Sequence, residues 1–186
     1  MTDSQIFELI RKDYDEGFAA LFTKYYKSLV IFSCGMTGQL EASEDLVQTV
    51  FYKFVKDRRS NSVDPAKLHS YLFTAVRNST LNYLGGKKVS SSLDSLPELC
   101  TWPDEEELYD DLKIARIKEQ IAALPPRTRE IVEDILLRNM KYKEVAEKYS
   151  ISVNTVKVLL GRGLKRLRTE MGEMGFFTLI LFLTRI

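Results

Sequence analysis

The stretch Tyr142-Lys-Glu-Val-Ala-Glu-Lys-Tyr-Ser-Ile-Ser-Val-Asn-Thr-Val-Lys-Val-Leu-Leu160 decides how this chain folds. Val145, Ala146 and Tyr149, then Ile151, then Val156, Leu159, Leu160 and Leu164 spell a short helix, a tight turn and a longer helix. Two helices that cross steeply need a small residue where their backbones meet, and Ala146 supplies it. Val145, Ile151, Val156 and Leu159 are spaced to be buried beside the turn. Ser152 is suited to cap the second helix, because its hydroxyl can accept from the unpaired amides of the first turn. Those amides and the positive end of the helix dipole also favour a nearby phosphate. The pattern is that of a DNA-reading helix-turn-helix, whose second helix enters the major groove. Ser150 stands where such turns most often carry glycine, so a left-handed backbone there costs about 1 kcal/mol.

The second helix would expose Ser152, Asn154, Thr155, Lys157, Val158 and Arg162, followed by Lys165, Arg166 and Arg168. Asn154 and Lys157 can hydrogen-bond base edges, and Val158 can touch a thymine methyl. The cationic run 162–168 is suited to phosphate, which fixes register without reading sequence. By itself the motif also fits a plain helical hairpin with a solvated basic face.

Upstream, Ile114, Ile117, Ile121 and Leu124 mark a helix that stops at Pro125-Pro126, and Ile131, Val132, Ile135 and Leu136 mark another. At the front, apolar residues fall at helical spacing from Phe18 to Phe32, and Gly35 and Gly38 break the pattern. A second helix is predicted over 42–56, with Leu46, Val47, Val50, Phe51 and Phe54 on one face and Glu44, Asp45, Gln48 and Thr49 on the other. A third follows Pro65 and runs to Leu84, where Gly85-Gly86 ends it. Residues 88–112 lack periodicity and are rich in serine, acid and proline, with Trp102 among them; they read as an extended linker. No segment alternates as a half-buried strand does. The predicted fold class is all-α: two small helical domains joined by an acidic linker.

Charge follows the same division. Residues 1–88 carry 12 Lys/Arg against 10 Asp/Glu, residues 89–113 carry 1 against 8, and residues 114–170 carry 13 against 7. A basic back half behind an acidic middle is the electrostatic footprint of nucleic-acid binding. With 45% hydrophobic and 28% charged residues, the composition is that of a globular protein. Cys34 and Cys100 lack metal-ligand spacing and read as reduced thiols, and the single histidine, His69, reads as an exposed helix residue. Neither a metal, a cofactor nor a catalytic residue is expected: there is no nucleophile–base pair, no metal cluster and no phosphate loop. The apolar start is interrupted by Glu8, Arg11 and Lys12, unlike a signal peptide, which points to the cytoplasm. The run Phe176-Phe-Thr-Leu-Ile-Leu-Phe-Leu183 is far shorter than the ~20 residues that span a bilayer. Packing on the protein's own surface is its expected fate.

Read together, five motifs in order resemble the extracytoplasmic-function sigma factors of the sigma-70 family over nearly the whole chain. They are Phe18-Ala-Ala-Leu-Phe-Thr-Lys-Tyr-Tyr26, Ala42-Ser-Glu-Asp-Leu-Val-Gln-Thr-Val-Phe51, Tyr71-Leu-Phe-Thr-Ala-Val-Arg-Asn78, Leu124-Pro-Pro-Arg-Thr-Arg-Glu-Ile131 and Ile151-Ser-Val-Asn-Thr-Val-Lys157. The resemblance implies region 2 over 1–88, an acidic linker over 89–112, region 4 over 113–170 and an apolar tail over 171–186. It implies that Glu44, Asp45, Gln48 and Phe51 bind core RNA polymerase. It assigns the minus-ten element to Arg58, Arg59, Asn61, Tyr71, Arg77 and Asn78, and the minus-thirty-five element to Ser152, Asn154, Thr155, Lys157, Val158, Arg162, Lys165 and Arg166. The family usually has an acid where Thr49 stands, and often an Asp and an Arg where Asn82 and Gly85 lie. Promoter DNA, core polymerase and an anti-sigma factor are the implied partners of a free monomer that catalyses nothing. The alternatives are a helix-turn-helix regulator that binds DNA without core polymerase, which would need a sensing domain in front, and a small helical enzyme.

Overall fold

This computed structural model describes residues 1–56, 63–86 and 111–184, the side chains of 111–113 and 181–184 excepted. Arg58, Arg59, Asn61, Lys87, Lys88, Cys100, Trp102 and the acidic stretch lie outside the described residues. All elements within them are helical: α1 (Asp3–Lys12), α2 (Tyr14–Thr37), α3 (Leu40–Lys56), a 3-10 turn (Pro65–Lys67), α4 (Leu68–Leu84), α5 (Asp111–Ala122), α6 (Pro126–Leu136), α7 (Tyr142–Tyr149) and α8 (Val153–Thr184). They form two compact units, one of Met1–Ser33 with Glu44–Trp102 and one of Cys34–Ser43 with Pro103–Ile186.

In the first unit, α1 is an element that apolar spacing from Phe18 onward did not predict. Its signal is local. Thr2 and Gln5 form a capping box, with the Gln5 side chain accepting from Thr2 N at 2.8 Å and Thr2 Oγ1 accepting from Gln5 N at 3.3 Å. Ile6, Phe7 and Ile10 are then buried on one face. Asp3 anchors the helix to α2, accepting from Lys24 Nζ at 2.8 Å and Tyr25 Oη at 2.7 Å. The core gathers Leu21, Leu29 and Phe32 from α2, Val47, Val50, Phe51 and Phe54 from α3, and Tyr71, Leu72, Phe73 and Val76 from α4. Each large apolar side chain there contributes roughly 2 kcal/mol. Ser33 and Thr80 satisfy one another inside it at 2.9 Å. His69 corrects its sequence reading. It is half-buried, its ring 4.7 Å from that of Phe73 and 6.1 Å from that of Tyr25.

Gly35 also departs from expectation. Helix α2 runs through it to Thr37, and the chain turns at Gly38, whose φ of 72° suits glycine. Gly35 serves room rather than rupture: a Cβ there would overlap the ring of Phe176.

In the second unit α8 packs on α5, α6 and α7. Ile117, Ile121, Ile131, Val132, Ile135, Val145, Val156, Leu160, Leu164 and Leu167 fill the space between them. Helix α8 is two legs joined at Gly172, whose φ of 70° and ψ of 176° leave the helical region. The second leg carries the apolar tail, and Phe176, Phe177, Leu179 and Ile180 are fully buried there. No helix among the described residues is long and apolar enough to cross a membrane.

Candidate nucleic-acid interface

Helix α7 opens with Glu144 accepting from Lys141 N at 2.8 Å and buries only Val145 and Ala146. It closes on Ser150, which takes the left-handed conformation with φ 53° and ψ 44°. That turn lets Ile151 N donate to Ala146 O at 3.0 Å, pairing a carbonyl that the helix end would strand. Two residues later Ser152 Oγ accepts from Thr155 N at 3.0 Å and starts α8, as its N-cap position predicts. Val156, fully buried, pins the first turn of α8. Gly163 then lets α8 approach α6, since a Cβ there would fall 2.8 Å from Thr128 Cγ2 and Val132 Cγ2.

The far side of the turn is held by Asp134 on α6, whose carboxylate is fully buried. Lys148 Nζ reaches it at 2.7 Å, and Arg138 closes from just beyond the end of α6. Burial pulls the Asp134 pKa upward. Hydrogen bonds from Lys148, Arg138 and Tyr149 outweigh it and leave the pKa below the usual carboxylate value. Arg127 completes the clamp: its guanidinium lies 4.2 Å from the Tyr149 ring centre and donates to Tyr149 O at 2.9 Å. Asp134, Lys148 and Arg127 were missed in the sequence. The available signal was an acid set inside Ile131–Leu136, with a cation four residues on.

Ser152 at the cap and Asn154, Thr155, Val158, Arg162, Lys165 and Arg166 along α8 are exposed, so the structure brings together most of the residues predicted to meet DNA. Lys157 differs. It is half-buried, with Nζ 3.3 Å from Glu41 Oε1. Lys165 lies on the same side, its stem beside Gly38.

On α3, Asp45 and Gln48 are exposed and Glu44 half-exposed, and Gln48 Nε2 donates to Tyr26 Oη at 3.4 Å. Phe51 corrects its assignment as a polymerase contact. It is 2% exposed, with ring centres 5.1 Å from Phe22 and 5.9 Å from Phe18, and so belongs to the core. Tyr52, which sequence reasoning passed over, is 62% exposed on the same helix, beside Lys56. On α4, Arg77 and Asn78 are half-buried. Tyr71 is 4% exposed and packs on Phe54 at 5.8 Å; it is a core residue and presents no face for a base. Leu81, Tyr83 and Leu84, at the end of α4, are exposed and were not foreseen.

The family model for sigma-70 region 2 matches residues 21–88, and that for sigma-70 region 4 matches residues 114–167. The chain belongs to the sigma-70 family. It is a sigma factor of the extracytoplasmic-function type, an alternative RNA polymerase sigma factor directing promoter-specific initiation. As such it works with core RNA polymerase and promoter DNA, and sigma factors are generally non-enzymatic. The sigma factor is similar to the curated "RNA polymerase sigma factor SigZ" of Bacillus subtilis (strain 168), at 27% identity over 150 residues that cover 80% of this chain and 83% of that one. Among solved structures, "Structure of CnrH in complex with the cytosolic domain of CnrY" aligns with 91% of this sigma factor and 96% of its own chain, at 18% identity and a TM-score of 0.40.

Proposed function

We propose that this sigma factor reads the minus-thirty-five element with the exposed residues of α8 and docks on core polymerase through Asp45 and Gln48 of α3, with Glu44 beside them. The observation that carries the reading is the set Ser152, Asn154, Thr155, Val158, Arg162 and Arg166, all exposed on one capped helix behind a helix-turn-helix. Asn154 would read a base edge, Val158 a thymine methyl, and Arg162 and Arg166 the phosphates. Arg77 and Asn78 on α4, with Arg58, Arg59 and Asn61, would handle the minus-ten element. The division into region 2 over 1–88, a linker over 89–112 and region 4 over 113–170 follows the same assignment. The protein would act in the cytoplasm as a monomer when free, catalyse nothing, and be held by an anti-sigma factor between stimuli.

Purified protein should retain core RNA polymerase in a pull-down, and the complex should give run-off transcripts from a discrete class of promoters in a genomic library. Absence of association, together with salt-sensitive duplex binding by the protein alone, would replace this reading by that of a helix-turn-helix regulator acting without polymerase.

A further inference from the structure

Promoter reading uses the outer face of α8 and leaves the charged cluster behind the turn without a role. Among the described residues, Asp134 is the one charged side chain that is fully buried. Its carboxylate takes Lys148 Nζ on both oxygens, at 3.0 and 2.7 Å, with Arg138 and the Tyr149 hydroxyl as further donors. Stability alone does not call for an acid there, since an apolar residue of similar volume would stabilise the core about as well as a buried ion pair does. What the carboxylate adds is direction: hydrogen bonds fix angles, and apolar contact does not.

The direction it fixes is that of the helix-turn-helix. Arg127 and Asp134 lie seven residues apart on α6 and so share one face. Tyr149, the last residue of α7, is laid along that face. Its hydroxyl reaches Asp134, its ring lies 4.2 Å from the Arg127 guanidinium, and its carbonyl accepts from Arg127 Nη2 at 2.9 Å. A second face of α6 meets α8, where Gly163 leaves no room for a Cβ beside Thr128 and Val132. Helix α6 thus grips the reading helix at Gly163 and the end of α7 just before the left-handed Ser150. With the Tyr149 end released, α7 and the start of α8 swing together about Gly163. Nine residues at 1.5 Å each put Asn154 roughly 13 Å from that pivot, so a swing of about 5° carries it roughly 1 Å, enough to spoil a hydrogen bond to a base edge. Arg162, next to the pivot, scarcely moves.

We propose that Asp134 and Tyr149 are positioning residues for promoter discrimination: the buried carboxylate ties the end of α7 to α6 and so holds Asn154 and Val158 where base edges require them, without touching DNA. The inference rests on α8 being the helix that reads the minus-thirty-five element. It separates two kinds of contact on that helix. Asn154 and Val158, farther from the pivot, depend on the tie. The phosphate contacts of Arg162 and Arg166, on either side of Gly163, do not. Burial and the neighbouring Asp134 also raise the Tyr149 pKa, which keeps its hydroxyl protonated, and so a donor, through neutral pH.

Run-off transcription by the reconstituted holoenzyme tests this, on a promoter selected from the genomic library and on versions with one base pair of the minus-thirty-five element changed. The readout is the ratio of transcript from the selected promoter to transcript from each changed one. Tyr149→Phe deletes the hydroxyl and leaves the ring beside Arg127. It should lower the ratio by about fivefold to tenfold at the base pairs read by Asn154 and Val158, about what one base contact supplies in discrimination. Transcription from the changed promoters should hold. A tie that merely stabilised the fold would lower both transcripts alike and leave the ratio as it was; that result overturns the proposal. Should Tyr149→Phe fail to fold, Lys148→Gln, at an exposed position, loosens the same carboxylate from the α7 side and should lower the ratio in the same way. Loss of discrimination in Lys148→Gln alone overturns the part given to the Tyr149 hydroxyl. Asn154→Ala keeps the two levels apart. A ratio that falls with Asn154→Ala and holds with the Tyr149 and Lys148 variants overturns the positioning role and leaves promoter reading standing. A ratio indifferent to Asn154→Ala overturns that reading and the proposal with it.

Discussion

Ser150 and Asp134 bear on the same turn with opposite signs. Ser150 occupies a left-handed conformation that costs an L-residue about 1–2 kcal/mol. Glycine would relieve it, and part of the relief is returned because glycine adds freedom to the unfolded chain. Ser150→Gly should therefore stabilise the protein by about 0.5–1 kcal/mol, raising Tm by ~2–3 °C in a calorimetric scan; an unchanged or lower Tm would deny that the turn is strained. Asp134 acts the other way. Its pKa is lower in the folded state than in the unfolded chain, so its contribution is complete above the unfolded value and is lost as pH falls through the folded one. Lys148 and Arg138 are about half exposed and can rehydrate if it is removed. Asp134→Asn should cost about 2 kcal/mol at neutral pH. It should also flatten the acid limb of the stability profile below a pH of ~4, measured by urea melts at successive pH values. An acid limb identical to wild type would assign it to other carboxylates.

At the scale of elements, the helix-turn-helix was legible almost residue by residue, because a cap, a small residue and apolar spacing all fall within Ala146–Val156. Helices α3 and α4 were legible for the same reason, their apolar faces being bounded by polar turns and glycines. Helix α1 was not, since its stabilising information is a capping box and one buried triplet rather than a long stripe. Gly35 misled because a glycine at a close approach and a glycine at a break look alike in sequence; only the ring of Phe176 distinguishes them. Phe51 and Tyr71 misled for a related reason. Helical spacing places a side chain on a face, but whether that face is buried depends on partners remote in the chain. Here those are Phe18 and Phe22 for Phe51, and Phe54 for Tyr71. The candidate site on α8 was therefore readable as a list, while the separate position of Lys157 was not, because Glu41 lies more than a hundred residues away in sequence.

For the molecule as a whole, the proposed assignments separate two activities that can be lost independently. Asp45→Ala combined with Gln48→Ala should weaken association with core polymerase while leaving the fold intact, since both side chains are exposed. Arg162→Ala should leave that association unchanged and lower promoter-specific transcription by about fivefold to tenfold, consistent with the loss of about 1 kcal/mol of charge-assisted phosphate binding. Co-immobilisation and run-off assays on the same preparations would check both, and a variant that lost both activities together would refute the separation. The glycines of α8 carry a last consequence. Gly161 and Gly163 are buried two residues apart, one against the Gly38 carbonyl and the other against Thr128 and Val132. The helix is thus gripped on nearly opposite sides at the middle of its first leg, and the positions left to vary form a narrow strip through Asn154, Val158, Arg162 and Arg166. A library built to redirect this protein to a synthetic promoter could randomise that strip freely. The two glycines would have to stay fixed, because any larger residue there would move the strip itself.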